Sequence, residues 1–407
     1  MSTTYAEAGN KGDSVRSDCW VGLKLQESGG IQLTLKSKVE VLYGESIRKL
    51  VNEMLEYFEI GNAEIEVIDA GALPYIIMAR VEAAIRRLGV DKGKRYLPAW
   101  QTETPASSRD RFRRSRLYIP GDQPKLFINA AIHKGDGLIL DLEDSVAPVN
   151  KDAARLLVRN ALRCMEFMGA ERMVRINQLP LGLEDLEEII PQKPDLILIP
   201  KVETPAQIRE IDKKIDEILA REKDAKDVFF MPILESAKGI LEAYAIAAAS
   251  KRNVALAIGL EDYTADLGTQ RTNEGKESFF ARSMLINAAR AAGIQAIDTV
   301  FSDVDDMEGL KASVTEAKAL GFDGKGCIHP RQIAVIHHAF APEDKEIEKA
   351  KKIVLAFEDA EKKGLGVVSL GSKMIDPPVV KRALHTIDLA LREGIIPENW
   401  REQHEQK

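Results

Sequence analysis

From Arg113 onward the chain repeats one unit, a short apolar run followed by a segment with helical spacing. The runs are RLYIP (116–120), GLILDLE (137–143), RMVRIN (172–177), DLILIPKVE (195–203), VFFMPIL (228–234), VALAIGL (254–260), IQAIDTVF (294–301) and GKGCIHP (324–330). A continuous apolar run of this length, followed by a helix, reads as a parallel strand buried on both faces. Eight such units over roughly 250 residues predict an α/β chain built on a (β/α)8 TIM barrel. An open doubly wound sheet is the competing arrangement, but no GxGxxG turn opens any of the units.

The fifth and sixth runs end on acid, FFMPIL at Glu235 and VALAIGL at Glu261 and Asp262. In a parallel α/β protein the carboxyl ends of the strands face the ligand site. Glu235 and Asp262 are about one strand-helix-strand repeat apart, so they are expected side by side at the mouths of adjacent strands. Hard oxygen ligands with no nearby Cys or His point to Mg²⁺, or Mn²⁺, rather than zinc. The plainer alternative is that both acids cap the helices that follow them.

Several other strand ends also carry charged or polar groups: Asp141, Glu143 and Asp144 on the second, Arg175 and Asn177 on the third, Lys201 and Glu203 on the fourth, His329 on the eighth. Charges converging on one face are costly unless paired or used. Arg175 beside a metal is suited to a substrate carboxylate or a developing enolate. Lys201 and Glu203 fit a structural salt bridge equally well, and His329 a cap. Arg114, Arg116 and Lys125 around the first strand are candidates to face phosphate, with a solvated basic patch as the alternative. Nucleophilic catalysis has little support, since GxSxG is absent and no Cys or Ser has a clear His partner nearby in sequence.

Residues 1–92 read as a separate small α+β domain. Its first dozen residues are polar and expected to be mobile; CWVGLKL, GIQLTLKS and AEIEVIDA alternate as half-buried strands, and SIRKLVNEMLEYF and YIIMARVEAAIRRLG as amphipathic helices. Residues 93–112 lack periodicity and read as a linker, 113–341 as the barrel, and 342–407 as a helix-loop-helix tail suited to a lid or to a neighbouring subunit. A net charge of −7 argues against nucleic acid as the main partner. The apolar stretches are too short to span a membrane. Cys19, Cys164 and Cys327 are odd in number and far apart, so free thiols and a cytoplasmic location are expected.

LYIPG, LILDLEDSVAP, MVRIN, LILIPKVE, MPILESAKGI, AIGLEDYTADLG, QAIDTVFSD, GFDGKGCIHPRQI and GSKMIDPPVV, in this order over about 113–392, resemble the citrate lyase beta subunit and its relatives, the malyl-CoA and citramalyl-CoA lyases of the HpcH/HpaI aldolase superfamily. The resemblance implies a Mg²⁺-dependent lyase acting on a CoA thioester. Glu235 and Asp262 would bind the metal, and Arg175 would contact the oxo and carboxylate oxygens. Asp376, in MIDPP, would act as acid/base from the lid of an adjacent subunit. Arg116 and Lys125 would lie near the CoA moiety. Trimers, or multiples of three, are the implied assembly.

KVEVLYGESIRKLVNEMLEYF and GALPYIIMARVEAAIRRL resemble the small acyl carrier (gamma) subunit of citrate lyase. That implies a prosthetic group on a serine near the start of the domain, and an alpha-type transferase chain as partner. Arg16 stands where the family has the serine, which leaves Ser17 or Ser14 as attachment points. Pro74 and Tyr75 depart from the family pattern too, so a carrier that now only packs or assembles is the expected reading.

Overall fold

The computed structural model describes residues 4–101, 106–222, 224–362, 368–370 and 373–401. Strands β1 (Tyr5–Gly9), β2 (Cys19–Leu25), β3 (Ile31–Ser37) and β4 (Ala63–Asp69) form one sheet in the order β1-β2-β4-β3, with β3 parallel to β4. The polar start of the chain, expected to be mobile, is strand β1, paired antiparallel with β2 from Tyr5 opposite Lys24 to Gly9 opposite Trp20. Its apolar face consists of Ala6 and Ala8, which are buried but too small to mark a strand by hydropathy.

Helices α1 (Glu40–Tyr57) and α2 (Pro74–Arg87) follow the sheet crossovers. In α2 every residue from Ala79 to Ile85 is buried, Arg80 and Glu82 included. A helix buried all round must be sandwiched. One side of α2 meets the small sheet and the other the barrel helix Lys151–Cys164. Each buried charge has a partner. Arg80 makes a two-pronged ion pair with Asp18, both bonds at 3.0 Å, and Glu82 pairs with Arg159 of that barrel helix at 2.7 Å with both side chains fully buried.

The expected linker is fastened along its described length. Pro98 O and Ala99 face the barrel helix, where Arg163 donates to Pro98 O and stacks on Trp100. Residues 102–105 lie outside the described residues. Beyond them Ser107 donates to Glu171 and Arg109 to the carbonyls of Lys251 and Asn253, across the amino ends of the strands. Arg113 closes this end of the barrel in a fully buried pair with Glu171.

The barrel strands are β5 (Ser115–Pro120), β6 (Gly137–Asp141), β7 (Glu171–Arg175), β8 (Leu196–Ile199), β9 (Phe229–Leu234), β10 (Ala255–Ile258), β11 (Gln295–Asp298) and β12 (Gly324–Cys327), all parallel and closed by pairing of β12 with β5. Closure rules out the open sheet. Around the barrel run α3 (Pro124–Phe127), α4 (Lys151–Cys164), α5 (Leu181–Ile189), α6 (Pro205–Arg221), α7 (Ala237–Leu241), α8 (Ala243–Ala247), α9 (Leu260–Asp266), α10 (Phe279–Ala291) and α11 (Met307–Leu320); α12 (Arg331–Phe340) follows β12 in sequence. Ile139, Met173, Leu198, Met231, Ile233 and Ile297 fill the interior. Several strands stop earlier than their apolar runs, which leaves Glu143, Asn177 and Lys201 on the turns after them.

By its internal contacts the chain divides into two compact units, Met1–Ile333 and Ala334–Lys407. In the second unit α13 (Asp344–Lys362) and α14 (Pro377–Arg392) pack through Ile347, Ile353, Val354, Val380, Ile387 and Trp400. Between them β13 (Val368–Leu370) and β14 (Lys373–Ile375) pair antiparallel. Among the described residues no helix is long and apolar enough to cross a membrane.

Candidate active site

At the carboxyl end of the barrel, β6, β7, β8, β9 and β10 deliver acids and bases to one place. Arg175, the last residue of β7, is fixed from two sides. Its Nε and Nη2 donate to the two oxygens of Asp141 at 2.7 Å each, and its Nη1 lies 2.8 Å from Glu143 Oε2. Its guanidinium also faces the ring of Tyr118, 5.1 Å from the centroid. Burial works against both charges of the Arg175–Asp141 pair. The paired hydrogen bonds outweigh it, so Arg175 is held above its ordinary pKa and Asp141 below.

Glu235 follows β9 directly and Ser236 caps α7 by accepting from Gly239 N, so the acid is left free to face the site. Leu234 pairs in register with Ile258, which places Glu235 against Gly259. A Cβ on Gly259 would stand 2.6 Å from Glu235 Oε1, so the glycine makes the cradle in which the carboxylate lies. Burial, together with the neighbouring carboxylates Glu143 and Asp262, pushes Glu235 up to about 8, against the pull of Arg175 and Lys201. Its Oε2 is buried with no hydrogen-bond partner. Asp262 sits in the first turn of α9, and Lys201 Nζ is 3.2 Å from its Oδ1.

An orphaned, buried carboxylate oxygen beside a second carboxylate is the environment a hard divalent cation relieves. No group of three or more His, Cys, Asp or Glu side chains among the described residues is arranged to hold a metal by itself. Mg²⁺ needs none, since it is bound by one or two carboxylates plus water and substrate oxygens. Glu235 and Asp262 therefore fit it.

The other sequence-predicted residues are spread more widely. Lys125 is exposed on α3, past the carboxyl end of β5. Arg116, expected near CoA phosphate, is fully buried inside the barrel with Nη1 2.8 Å from Met231 Sδ, and burial lowers its pKa. It is enclosed because its register partners in β6 and β12 are Gly137 and Gly326, which leave room for the side chain. Arg114 is bound to Asp136 at the opposite, amino end of the barrel, so neither arginine faces the mouth. His329 Nδ1 accepts from Arg331 N as a local cap. Asp376 is the N-cap of α14, accepting from Val379 N. Ser14 is exposed, and Ser17 sits in a left-handed turn at φ 52° beside buried Asp18. Tyr118 was not anticipated; its inward place in LYIP, alternating with buried Leu117 and Ile119, was the available signal.

The family described as HpcH/HpaI aldolase/citrate lyase matches residues 114–330. The chain belongs to that family. Within it, the chain is 43% identical over 291 residues to the citrate lyase subunit beta of Haemophilus influenzae, covering 71% of this chain and all of that protein. It is 33% identical to the mitochondrial citramalyl-CoA lyase of Mus musculus, covering 68% of this chain and 86% of that one. Among solved structures, the CitE protein of Mycobacterium tuberculosis in complex with magnesium, acetoacetate and coenzyme A superposes with a TM-score of 0.57 at 31% identity, over 70% of this chain and 99% of that one. Residues 8–88 match a second family, the malonate decarboxylase delta subunit, an acyl carrier.

Proposed function

We propose that this family member is a Mg²⁺-dependent carbon-carbon lyase. It cleaves a 3-hydroxyacyl thioester, citryl-CoA or a carrier-bound citryl group, to an acetyl thioester and oxaloacetate by retro-Claisen chemistry. The observation that carries the reading is Glu235, buried, with one oxygen unpartnered and its carboxyl at about 8, beside Asp262 and the braced Arg175. Bound there, the divalent ion supplies Lewis-acid charge to the oxygens of the departing oxo acid. The relatives named for citrate and citramalyl-CoA lyases and the neighbour solved with magnesium, acetoacetate and coenzyme A support the substrate class.

Arg175 is held in one orientation by Asp141 and Glu143, so it can direct hydrogen bonds at a carboxylate or oxo oxygen without reorganising. Lys125, exposed beyond β5, is suited to a CoA phosphate. A base takes the hydroxyl proton as the oxo group forms and the carbon-carbon bond breaks, and the thioester enolate so released needs a proton at carbon. In this reading Asp376 of an adjacent copy's lid segment delivers it, in a trimer or a multiple of three. With three free thiols, the reading places the enzyme in the cytoplasm.

A second reading makes the chain part of a larger complex, with an alpha-type transferase loading a prosthetic arm on Ser17 or Ser14. The match of residues 8–88 to an acyl carrier favours it. One experiment separates the two. Purified protein with Mg²⁺ is offered citryl-CoA, malyl-CoA and citramalyl-CoA, the oxo acid released is identified, and the intact mass is recorded. Oxaloacetate from citryl-CoA by unmodified protein supports the first reading, glyoxylate or pyruvate reassigns the acceptor, and release of CoA without an oxo acid reveals a thioesterase. Failure on every free ester, with added mass on the chain, selects the carrier reading.

A further inference from the structure

Two cations face the acids at the barrel mouth, and they are held differently. Arg175 is locked by Asp141 and Glu143. Lys201 has no such clamp: its Nζ is 3.2 Å from Asp262 Oδ1, 3.9 Å from Glu143 Oε1 and 4.0 Å from Asp144 Oδ1, and its side chain is 32% exposed. The loop that carries it is fixed, however. Gln207 Oε1 accepts from the backbone N–H groups of Glu203 and Thr204 in the capping box of α6. Lys201 itself is in the left-handed region at φ 48°.

A divalent ion on Asp262 would lie about 2.1 Å from a carboxylate oxygen. An ammonium 3.2 Å from the same carboxylate would then share one anion with two further positive charges. The other two acids near the ammonium are poorer hosts: Glu143 is already the close partner of Arg175, and Asp144, 4.0 Å from the ammonium, is more than half exposed to water. The carboxylate of a 2-oxo acid can take up the displaced ammonium. We propose that Lys201 competes with the metal for Asp262, and that the carboxylate of the oxo acid takes over the ammonium, so that metal and oxo acid bind as a coupled pair. This rests on the reading that Glu235 and Asp262 hold the ion. Lys201 is thus a positioning counter-ion rather than a group that exchanges a proton with substrate. The consequence is an enzyme that takes up its metal most firmly together with its oxo acid.

Calorimetry of Mg²⁺ binding, without and with saturating pyruvate, tests this in the full chain and in two variants. Asn tolerates the left-handed backbone, so Lys201→Asn removes the charge without new strain; Lys201→Arg keeps the charge. Linkage requires Mg²⁺ to tighten pyruvate binding by the same factor as pyruvate tightens Mg²⁺. In K201N, Mg²⁺ alone should bind roughly tenfold tighter than in the parent, and the pyruvate-to-no-pyruvate affinity ratio should fall by roughly the same factor, within the usual range of such couplings. K201R should keep the parent ratio. An unchanged ratio in K201N, or weaker binding of Mg²⁺ alone, overturns the proposal while leaving the metal site standing. Should K201N not fold, Lys201→Gly gives the same readout, because glycine is unstrained at this φ. If the parent chain binds no Mg²⁺ under either condition and Glu235→Gln is indistinguishable from it, the metal-site reading falls and the counter-ion role falls with it.

Discussion

On the proposal that Glu235 ligates the cation, its raised carboxyl makes metal binding a proton-releasing step. With its value at about 8 in the metal-free protein, the group is protonated near neutrality and must lose that proton to ligate a cation. Apparent Mg²⁺ affinity should therefore rise about tenfold for each pH unit up to about 8 and level off above it, a gain of about 1.4 kcal/mol per unit. Calorimetry at about pH 6.5 in two buffers of different ionisation enthalpy should count close to one proton released per Mg²⁺, and close to none above about pH 9. The same shift acts on folding with the opposite sense. Between the ordinary carboxylate range and about 8, the folded chain keeps a proton that the unfolded chain has lost, so metal-free stability falls as pH rises through that window. The full shift, from 4.5 to about 8, corresponds to about 5 kcal/mol. Glu235→Gln should match the parent near pH 4 and exceed it by several kcal/mol near pH 8 in chelator, on the scale of about 1.4 kcal/mol per pH unit. A stability difference between the two that does not change with pH, together with Mg²⁺ affinity that is flat from about pH 6 to 8, would refute the assignment of the buried proton to Glu235.

Asp376→Asn should abolish turnover while leaving Mg²⁺ and CoA binding intact; because Asn caps as well as Asp, α14 should lose little stability, whereas Asp376→Ala should cost about 1 kcal/mol in a thermal melt. Arg113→Met leaves Glu171 charged and fully buried, so urea unfolding should show a loss of about 3–5 kcal/mol with no change in KM for the thioester. Deleting residues 1–92 removes Glu82 from fully buried Arg159 and uncovers α4, so the remaining chain should be recovered aggregated rather than as a soluble barrel, as size-exclusion chromatography would show.

The barrel was readable because parallel strands buried on both faces leave unbroken apolar runs, and eight of them punctuated by helices admit few other solutions. Their ends were less readable. The runs DLILIPKVE and GLILDLE continue past the last ladder pair, since apolar residues of the turns, Leu142 and Val202, are as buried as those of the strands. Arg116 shows a different failure. An arginine opening a strand reads as solvent-facing, and only its register neighbours Gly137 and Gly326, in other strands, make an interior guanidinium possible. Register is a long-range property that the local pattern does not carry. For the acids the situation is reversed. Glu235 and Asp262 were marked by position alone, at the ends of adjacent runs, and the cradle at Gly259 explains why the first is buried without a capping role.

The amino-terminal domain has the sheet and helices of a carrier, yet its contacts oppose the motion that a carrier needs. Arg80 ties Asp18, next to Ser17, to the carbonyl of Asp122 in the turn after β5, and Arg87 reaches Val149 O and Asp152 beyond β6. Those are turns on the mouth side of the barrel. Arg159 pairs with Glu82 across the domain boundary with both side chains fully buried, so separating the domain would break a well-formed buried ion pair as well as uncover α4. The expected linker is likewise clamped, through Arg163, Trp100 and Arg109. An arm on Ser17 would thus have to reach the proposed metal site from a fixed point, by its own length rather than by movement of the domain. The domain's structural contribution is already evident without an arm, since it buries one face of α4 and braces the turns after β5 and β6, the second of which carries Glu143 and Asp144 to Arg175 and Lys201.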